Sequence, residues 1–294
     1  MSAWLGGLPL PPGLLQRLAL RWAEEALDAG QWSGLLQRME FGTNGVRVVY
    51  RTRYDLLDAW AGGLTDTDQH RLLARQQQLA AIVDAQPSAG RLDLTELLSA
   101  LLALGEDAGA PDSDVPADNR AAILALAAYV NGRRLLVADA AAGDADRQAA
   151  SARPRPVQLR GRRDLAQHFM ASAAMVVGGG STLSHLVGLS KELRDADGGS
   201  GFSFPDLMAN RAGIRFAELA VGSAGGAQHV QRLARVGFEQ DAIMPTIDGL
   251  PEGLQRGALE RVLGDVGSAD YQRVVDYIDR RIDKAPLHLS APSG

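Results

Sequence analysis

The chain has 294 residues, 46% of them hydrophobic, no cysteine, and 30 Lys plus Arg against 35 Asp plus Glu for a net charge of −5. That length can bury a core in one large domain or two modest ones. The acidic balance argues against a nucleic-acid binder, and the lack of cysteine excludes disulfides, thiol nucleophiles and Cys-ligated metals. Aromatic residues make up only 5% while Ala, Leu and Gly abound, which favours closely packed helices over sheet. The expected fold class is mainly α, a multi-helix globular protein with sheet limited to one small β-hairpin near residues 40–54.

In chain order, "PPGLLQRLALRWAEEALDAG" sets Leu14, Leu18, Trp22 and Ala26 on one stripe between a Pro start and the Gly30 stop, the pattern of a helix. In "EFGTNGVRVVYRTRYDLL", Asn44-Gly45 before Val46, Val48 and Tyr50 reads as a hairpin leading into a helix, although Val46, Val49, Tyr50, Tyr54 and Leu57 also fit a helix face. Helical patterns follow over residues 65–85, in "DLTELLSALLALGEDAG", and in "PADNRAAILALAAYVNGRRLL", with Pro116 in its first turn and Asn131-Gly132 closing it. "DAAAGDADRQAASARPRP" has no apolar periodicity and reads as a surface connection. The expected organisation is therefore an N-terminal helical domain over 1–138, a linker over 139–160 and a C-terminal helical domain over 161–294. Within the last, helices are expected near 162–177, 181–195, 204–222, 224–236, 252–264 and 268–284, followed by a loose tail, "APLHLSAPSG". His70 falls on a polar helix face and His288 in that tail, so neither carries a role. No run of 18 apolar residues is present, and "MSAWLGGLPLPPGLLQRLAL" lacks the basic region of a signal peptide.

Chemistry concentrates in residues 168–213. On the helix near 181–195, His185, Gly188, Glu192 and Asp195 share one face, while Leu186, Leu189 and Leu193 form the buried stripe. Neighbouring carboxylates such as Glu192 and Asp195 can have their pKa values driven apart, leaving one protonated near neutral pH and fit to act as an acid. The plain alternative is a solvated helix end in which Lys191, Glu192, Arg194 and Asp195 pair locally. "GGSGFSFPDL" offers Ser203 as N-cap, Pro205 at the second helical position and Asp206 at the third, which accounts for Asp206 without function. The functional alternative is a Gly-rich loop at a helix N-terminus, with Phe202 and Phe204 as a platform for a sugar or acyl chain. Asp206, Asn210 and Gly213 share a face of the next helix. His168 lies on an Ala-rich helix beside Ser172, where a hydrogen-bonded core histidine and a functional one both fit. HExxH, GxSxG and paired-His spacings are absent from the sequence. One basic cluster, "RPRPVQLRGRR" from Arg153 to Arg163, reads either as a solvated linker or as a patch facing anionic lipid or polyanionic glycan.

The succession Gln-His-Phe, Ala-Ser-Ala, Lys-Glu-Leu-x-Asp, Gly-Ser-Gly-Phe-Ser-Phe-x-Asp-Leu and a closing Ala-Gly, over about residues 164–216, resembles the YfiM-like small lipoproteins of the bacterial envelope. The N-terminal half resembles longer bacterial proteins in which "ADNRAAILALAAYVNGR" precedes the same segment. The resemblance implies a periplasmic or cell-envelope setting, with a signal or anchor outside this sequence. It also implies a unit in which His168, Lys191, Glu192, Asp195 and Asp206 occupy motif positions; it implies no activity. The family pattern tends to carry Asp where this chain has Asn210, which weakens a metal site needing charge there.

Two functional expectations follow. The first is a hydrolase or lyase acting on an envelope glycan by analogy of layout with lysozyme-like enzymes. Glu192 would be the general acid, Asp206 or Asp195 the second carboxylate, and His168 an orienting partner. Phe202, Phe204, Asn210 and Lys191 would face substrate. The second is a non-catalytic helical module packing against a partner or lipid surface. No cofactor is expected; a divalent cation on His168, Glu192, Asp195 and Asp206 is a variant of either expectation, suited to Zn, Mn or Mg. No nucleic-acid partner is expected.

Overall fold

A computed structural model describes residues 64–87, 90–105, 114–132, 152–179, 201–264 and 268–289, together with four short N-terminal strands. Its contacts divide the chain into two compact units, Met1–Gly63 and Leu64–Gly294. In the first, Ala3–Leu5 (β1) pairs antiparallel with Leu8–Leu10 (β2), and Leu36–Gly42 (β3) with Gly45–Tyr50 (β4). The second pair is the hairpin expected from Asn44-Gly45, running over 36–50. Gly42 stands opposite Gly45 at the end of the paired strands. The helices expected near 14–30 and just after the hairpin lie outside the described residues.

The second unit is mainly helical, and several of its helices begin where the sequence supplies caps. Asp66–Ala85 (α1) starts at Thr65, whose hydroxyl accepts from the Asp68 amide, and Leu94–Ala103 (α2) starts at Asp93, whose carboxylate accepts from that of Thr95. Val115–Val130 (α3) is capped by Asp114, carries Pro116 in its first turn, and ends at Asn131 before Gly132 at φ +66°. Each cap satisfies amides that the helix itself leaves open. Arg163–Gly179 (α4), Phe204–Gly222 (α5) and Ala224–Val236 (α6) follow, with Ser223 both ending α5 and capping α6 through the Gly226 amide. The remaining helices are Gln240–Ile243 (α7), Arg256–Leu263 (α8), Ala269–Asp283 (α9) and Pro286–Leu289 (α10). None of the described helices is long and apolar enough to cross a membrane.

The core forms where α4 runs against α5, α3 packs on α1, α4 and α5, and α6 lies against α2 and α5. Phe169, Phe216, Leu72 and Ile123 are fully buried there. The close approach of α4 and α5 depends on Gly213. A Cβ at that position would stand 2.1 Å from the Phe169 carbonyl oxygen. This contact sets Asp206 and Asn210 of α5 against His168 and Ser172 of α4.

The segment expected as a linker behaves otherwise where it is described. Val157–Gln158 (β6) pairs in parallel with Leu92–Asp93 (β5), and the Leu92 amide donates to the Pro156 carbonyl at 3.0 Å. Helices from either side, α3 and α4, pack together, so the division into compact units falls at Gly63/Leu64 and not over 139–160. An Ala- and Pro-rich stretch without periodicity looks like a connection, but its described end is docked by the two extended residues Val157 and Gln158. The start of the expected loose tail is also docked. Leu287 of α10 is fully buried, and its carbonyl accepts from His229 Nε2 at 3.1 Å.

A buried polar network threads the same core. Arg75 of α1 makes a bidentate ion pair with Asp118 of α3, both almost fully buried, and Arg75 also donates to the Leu101 carbonyl at 3.0 Å. Gln231 Nε2 donates to Asn119 Oδ1 at 3.0 Å, and Asn119 Nδ2 to the carbonyls of Ala220 and Ala227. Asp118-Asn119 in "PADNRAAILALAAYV" thus ties α1, α3, α5 and α6 together through groups that would be costly to bury alone.

Candidate functional site

His168 and Ser172 sit one turn apart on α4, and Asp206 and Asn210 one turn apart on α5, so each pair shares a face. The helices bring the two pairs together. His168 Nε2 lies 3.4 Å from Asp206 Oδ2, with the side chains 10% and 12% exposed. His168 Nδ1 lies 3.1 Å from Asn210 Oδ1, which also accepts from Ser172 Oγ at 2.9 Å. Asn210 is 4% exposed and Ser172 fully buried. The Nδ2 atom of Asn210 is buried without an acceptor among the described residues. As expected from sequence, Ser203 caps α5, its hydroxyl accepting from the Asp206 amide at 3.2 Å. Asp206 is therefore both a residue of the capped first turn and the partner of His168.

Arg162 closes the outer side of this cluster. Its Nη2 is 3.7 Å from Asp206 Oδ1, its Nη1 donates to Glu252 Oε2 at 2.8 Å, and its Nε donates to Asp164 Oδ1 at 3.1 Å. The Arg162 hydrogen bond holds the Asp164 carboxyl below the usual carboxylate range against the opposing effect of burial. Its bonds to Asp164 and Glu252 push the guanidinium pKa up, so that it stays charged. One cation thus gathers three carboxylates beside an imidazole. Such an arrangement can hold a carboxylate in a fixed orientation and move a proton between it and the ring.

Glu252 reaches Arg162 because residues 251–254 are pinned to 202–204. The Phe202 amide donates to the Leu254 carbonyl at 2.8 Å, the Leu254 amide donates back at 3.0 Å, and the Phe204 amide donates to the Pro251 carbonyl at 3.0 Å. Gly201, at φ +89°, lies so near Gly253 that a Cβ would stand 2.5 Å from its carbonyl carbon. The glycine of this loop thus serves a backbone crossing.

Phe202 and Phe204 do not form an open platform. Both rings are fully buried, with centroids 5.0 Å from each other and each 6.1 Å from that of Tyr271. Adjacent aromatics after a Gly-rich loop fit a binding surface and a core equally well in sequence; here they are drawn into the core by the 251–254 crossing. Asn210 is placed against His168 and Ser172. Glu192, Asp195, Lys191 and His185 lie outside the described residues, so of the proposed acid–base and divalent-cation sets only His168 and Asp206 are placed. Among the described residues no three His, Asp or Glu side chains form a metal-binding group.

The basic cluster is mostly spent internally. Arg155 donates to the Val83 and Gly90 carbonyls. Arg160, at φ +53°, donates from its amide to Gln240 Oε1 and from its guanidinium to the Met244 carbonyl and Asp241. Arg153 and Arg163 remain exposed. Arg162 and Glu252 were missed as members of the site. The signal for Arg162 was a basic residue directly before a helix containing His168; Glu252, 90 residues away, gave none.

No family model, no curated protein and no solved structure matches this chain.

Proposed function

We propose that the protein is a hydrolase or lyase of the bacterial envelope acting on a glycan, with Asp206 as a proton-handling carboxylate and His168 as its orienting partner. The observation that carries this reading is the meeting of His168 and Asp206 at 3.4 Å from two separate helices, with Arg162 at the second carboxylate oxygen. A carboxylate held on one side by a cation and on the other by an imidazole has a defined orientation before any substrate arrives, and acid–base catalysis requires geometry first. Glu192 would supply the general acid, with Asp195 as the alternative second carboxylate, and Lys191 would face the sugar, while Asn210, buried against His168 and Ser172, would brace the imidazole. The test is cleavage of isolated bacterial cell-wall glycan by the full chain, by Glu192→Gln and by Asp206→Asn. Each substitution should lower the rate by roughly 10²- to 10⁴-fold, the usual contribution of a positioned acid or base, with folding intact. Equal rates for all three proteins would rule the reading out.

A second reading, a non-catalytic helical module that binds a partner, is favoured by a shallow groove between α8 and α9. Leu250, Pro251, Leu263, Val274 and the exposed Val262 and Tyr277 line it. Exposed apolar side chains gathered in one groove are a feature of contact surfaces. Val262→Asp should then abolish association with a partner while leaving cell-wall cleavage unchanged; an inactive wild type with no binding partner sensitive to this substitution would defeat it.

A further inference from the structure

His168 is braced by a residue that accepts and cannot donate at the point of contact. Asn210 Oδ1 receives two hydrogen bonds, from Ser172 Oγ at 2.9 Å and from His168 Nδ1 at 3.1 Å. An amide oxygen offers lone pairs only, so the ring nitrogen facing it must carry the hydrogen. We infer that Asn210, whose Oδ1 is shared with the Ser172 hydroxyl, is a positioning residue that locks His168 in the Nδ1–H tautomer, so that the proton exchanged at this site is the single one held between His168 Nε2 and Asp206 Oδ2.

The orientation of the amide decides the matter. Turning Asn210 over would bring Nδ2 against the ring, and Nδ1 would then have to be the acceptor, leaving the hydrogen on Nε2. The structure holds the first orientation, with the buried Ser172 hydroxyl donating to Oδ1; in the second that hydroxyl would have to accept from Nδ2 instead. The two tautomers thus correspond to the two faces of one amide. Which nitrogen of a histidine stays protonated is generally set by the hydrogen bond of the other.

The consequence for proton transfer is specific. With Nδ1 committed to Asn210, the ring can gain or lose a proton only at Nε2, which faces Asp206 at 3.4 Å. The pair exchanges between an imidazolium beside a carboxylate and a neutral ring beside a carboxylic acid, the proton moving from Nε2 to Oδ2 with no other bond changed. Asp206 can pass that proton to a bound molecule, and Nε2 can take it back. Among the described residues, the charged groups found at the pair include Arg162 at Asp206, with Asp164 and Glu252 on the far side of the guanidinium.

This inference rests on the reading of His168 and Asp206 as the acid–base pair, but its test does not use glycan cleavage. Two-bond ¹H–¹⁵N correlation spectra of the full chain labelled at histidine distinguish Nδ1–H from Nε2–H rings directly, with His168 assigned through contacts to Ser172 and Asn210. At pH values where the ring is neutral, His168 should show the Nδ1–H pattern. Asn210→Asp, which keeps an oxygen at the same place and adds charge, should keep that pattern and raise the pH at which Nε2 loses its proton by about one unit or more. In Asn210→Leu, which removes the acceptor, the Nδ1–H preference should be lost; a residue acting only in packing would leave the tautomer pattern unmoved there. An Nε2–H pattern, or the tautomer mixture of a free imidazole, in the wild type overturns the inference even if the Asn210 variant cannot be prepared. A chain that shows the Nδ1–H pattern yet cleaves no glycan would defeat the enzyme reading and leave the tautomer assignment standing.

Discussion

Gly213 of α5 lies against the carbonyl oxygen of Phe169 on α4, with room for a hydrogen and none for a methyl group. The neighbour is backbone and cannot rotate away. Gly213→Ala should therefore push the two helices apart and lower stability by about 1–3 kcal/mol, the range for overpacking a close contact. Because His168 and Asn210 meet across this same contact, the His168 ring resonances should shift in the variant as well. An unchanged urea midpoint would show that the helices do not approach as described.

The Arg75–Asp118 pair should be expensive to halve and cheap to delete whole. Asp118→Ala leaves a buried guanidinium and strips Gln231 of one acceptor, so it should cost about 3–5 kcal/mol. Replacing both residues by Leu should recover a large part of that loss. Denaturant unfolding of the two singles and the double decides it; additive losses would mean that the pair is not a unit.

His288 gives the C-terminal helix a pH dependence. Burial pushes its imidazole below the ordinary value and Arg215 adds to the shift, while Asp283 and Glu218 oppose it. A histidine whose folded pKa is depressed takes up its proton more readily when released. Its contribution to docking is complete above the unfolded value of about 6.5 and is lost as pH falls below it. Amide protection at residues 287–289, taken against the intrinsic exchange rate at each pH, should fall between pH 7 and 5, and His288→Gln should remove that fall. An equal fall in protection in that variant would assign the effect elsewhere.

Gly201→Ala tests the crossing that carries Glu252. The position combines φ +89° with a Cβ placed 2.5 Å from the Gly253 backbone, so the substitution strains the chain and displaces its neighbour together. Residues 249–255 should become susceptible to proteolysis. The Asp164 carboxyl should stay below the usual range, since its own bond to Arg162 is the larger cause of that shift. Resistance equal to wild type would exclude the crossing as the anchor of this loop.

Much of the helical architecture was legible because periodicity and capping residues act locally. Ser203, Pro205 and Asp206 announced the start of α5, and Asn131-Gly132 the end of α3. The meeting of His168 with Asp206 and Asn210 was foreseen only as a shared inventory, because which helix faces meet depends on tertiary packing. Gly213 was placed on the face of Asp206 and Asn210, yet nothing nearby in sequence identified Phe169 as its neighbour. The aromatic pair after the glycines was misread because its burial depends on residues 251–254. Likewise, the cluster from Arg153 to Arg163 could not reveal its partners, which are mainly backbone carbonyls and distant carboxylates.

The parallel pairing of Leu92–Asp93 with Val157–Gln158 also bears on how the chain acquires its structure. Parallel strands cannot be joined by a tight turn, and here the partners are 65 residues apart, so the entropy of closing that loop falls due before the ladder forms. During synthesis, α2 and α3 would emerge without their eventual neighbours α4, α5 and α6, exposing Leu97, Leu98, Leu101 and Ile123 to water. Folding of Leu64–Gly294 should thereby be late and concerted. A chain severed between α3 and α4 should yield fragments that become structured only when mixed, regaining together a cooperativity that neither shows alone.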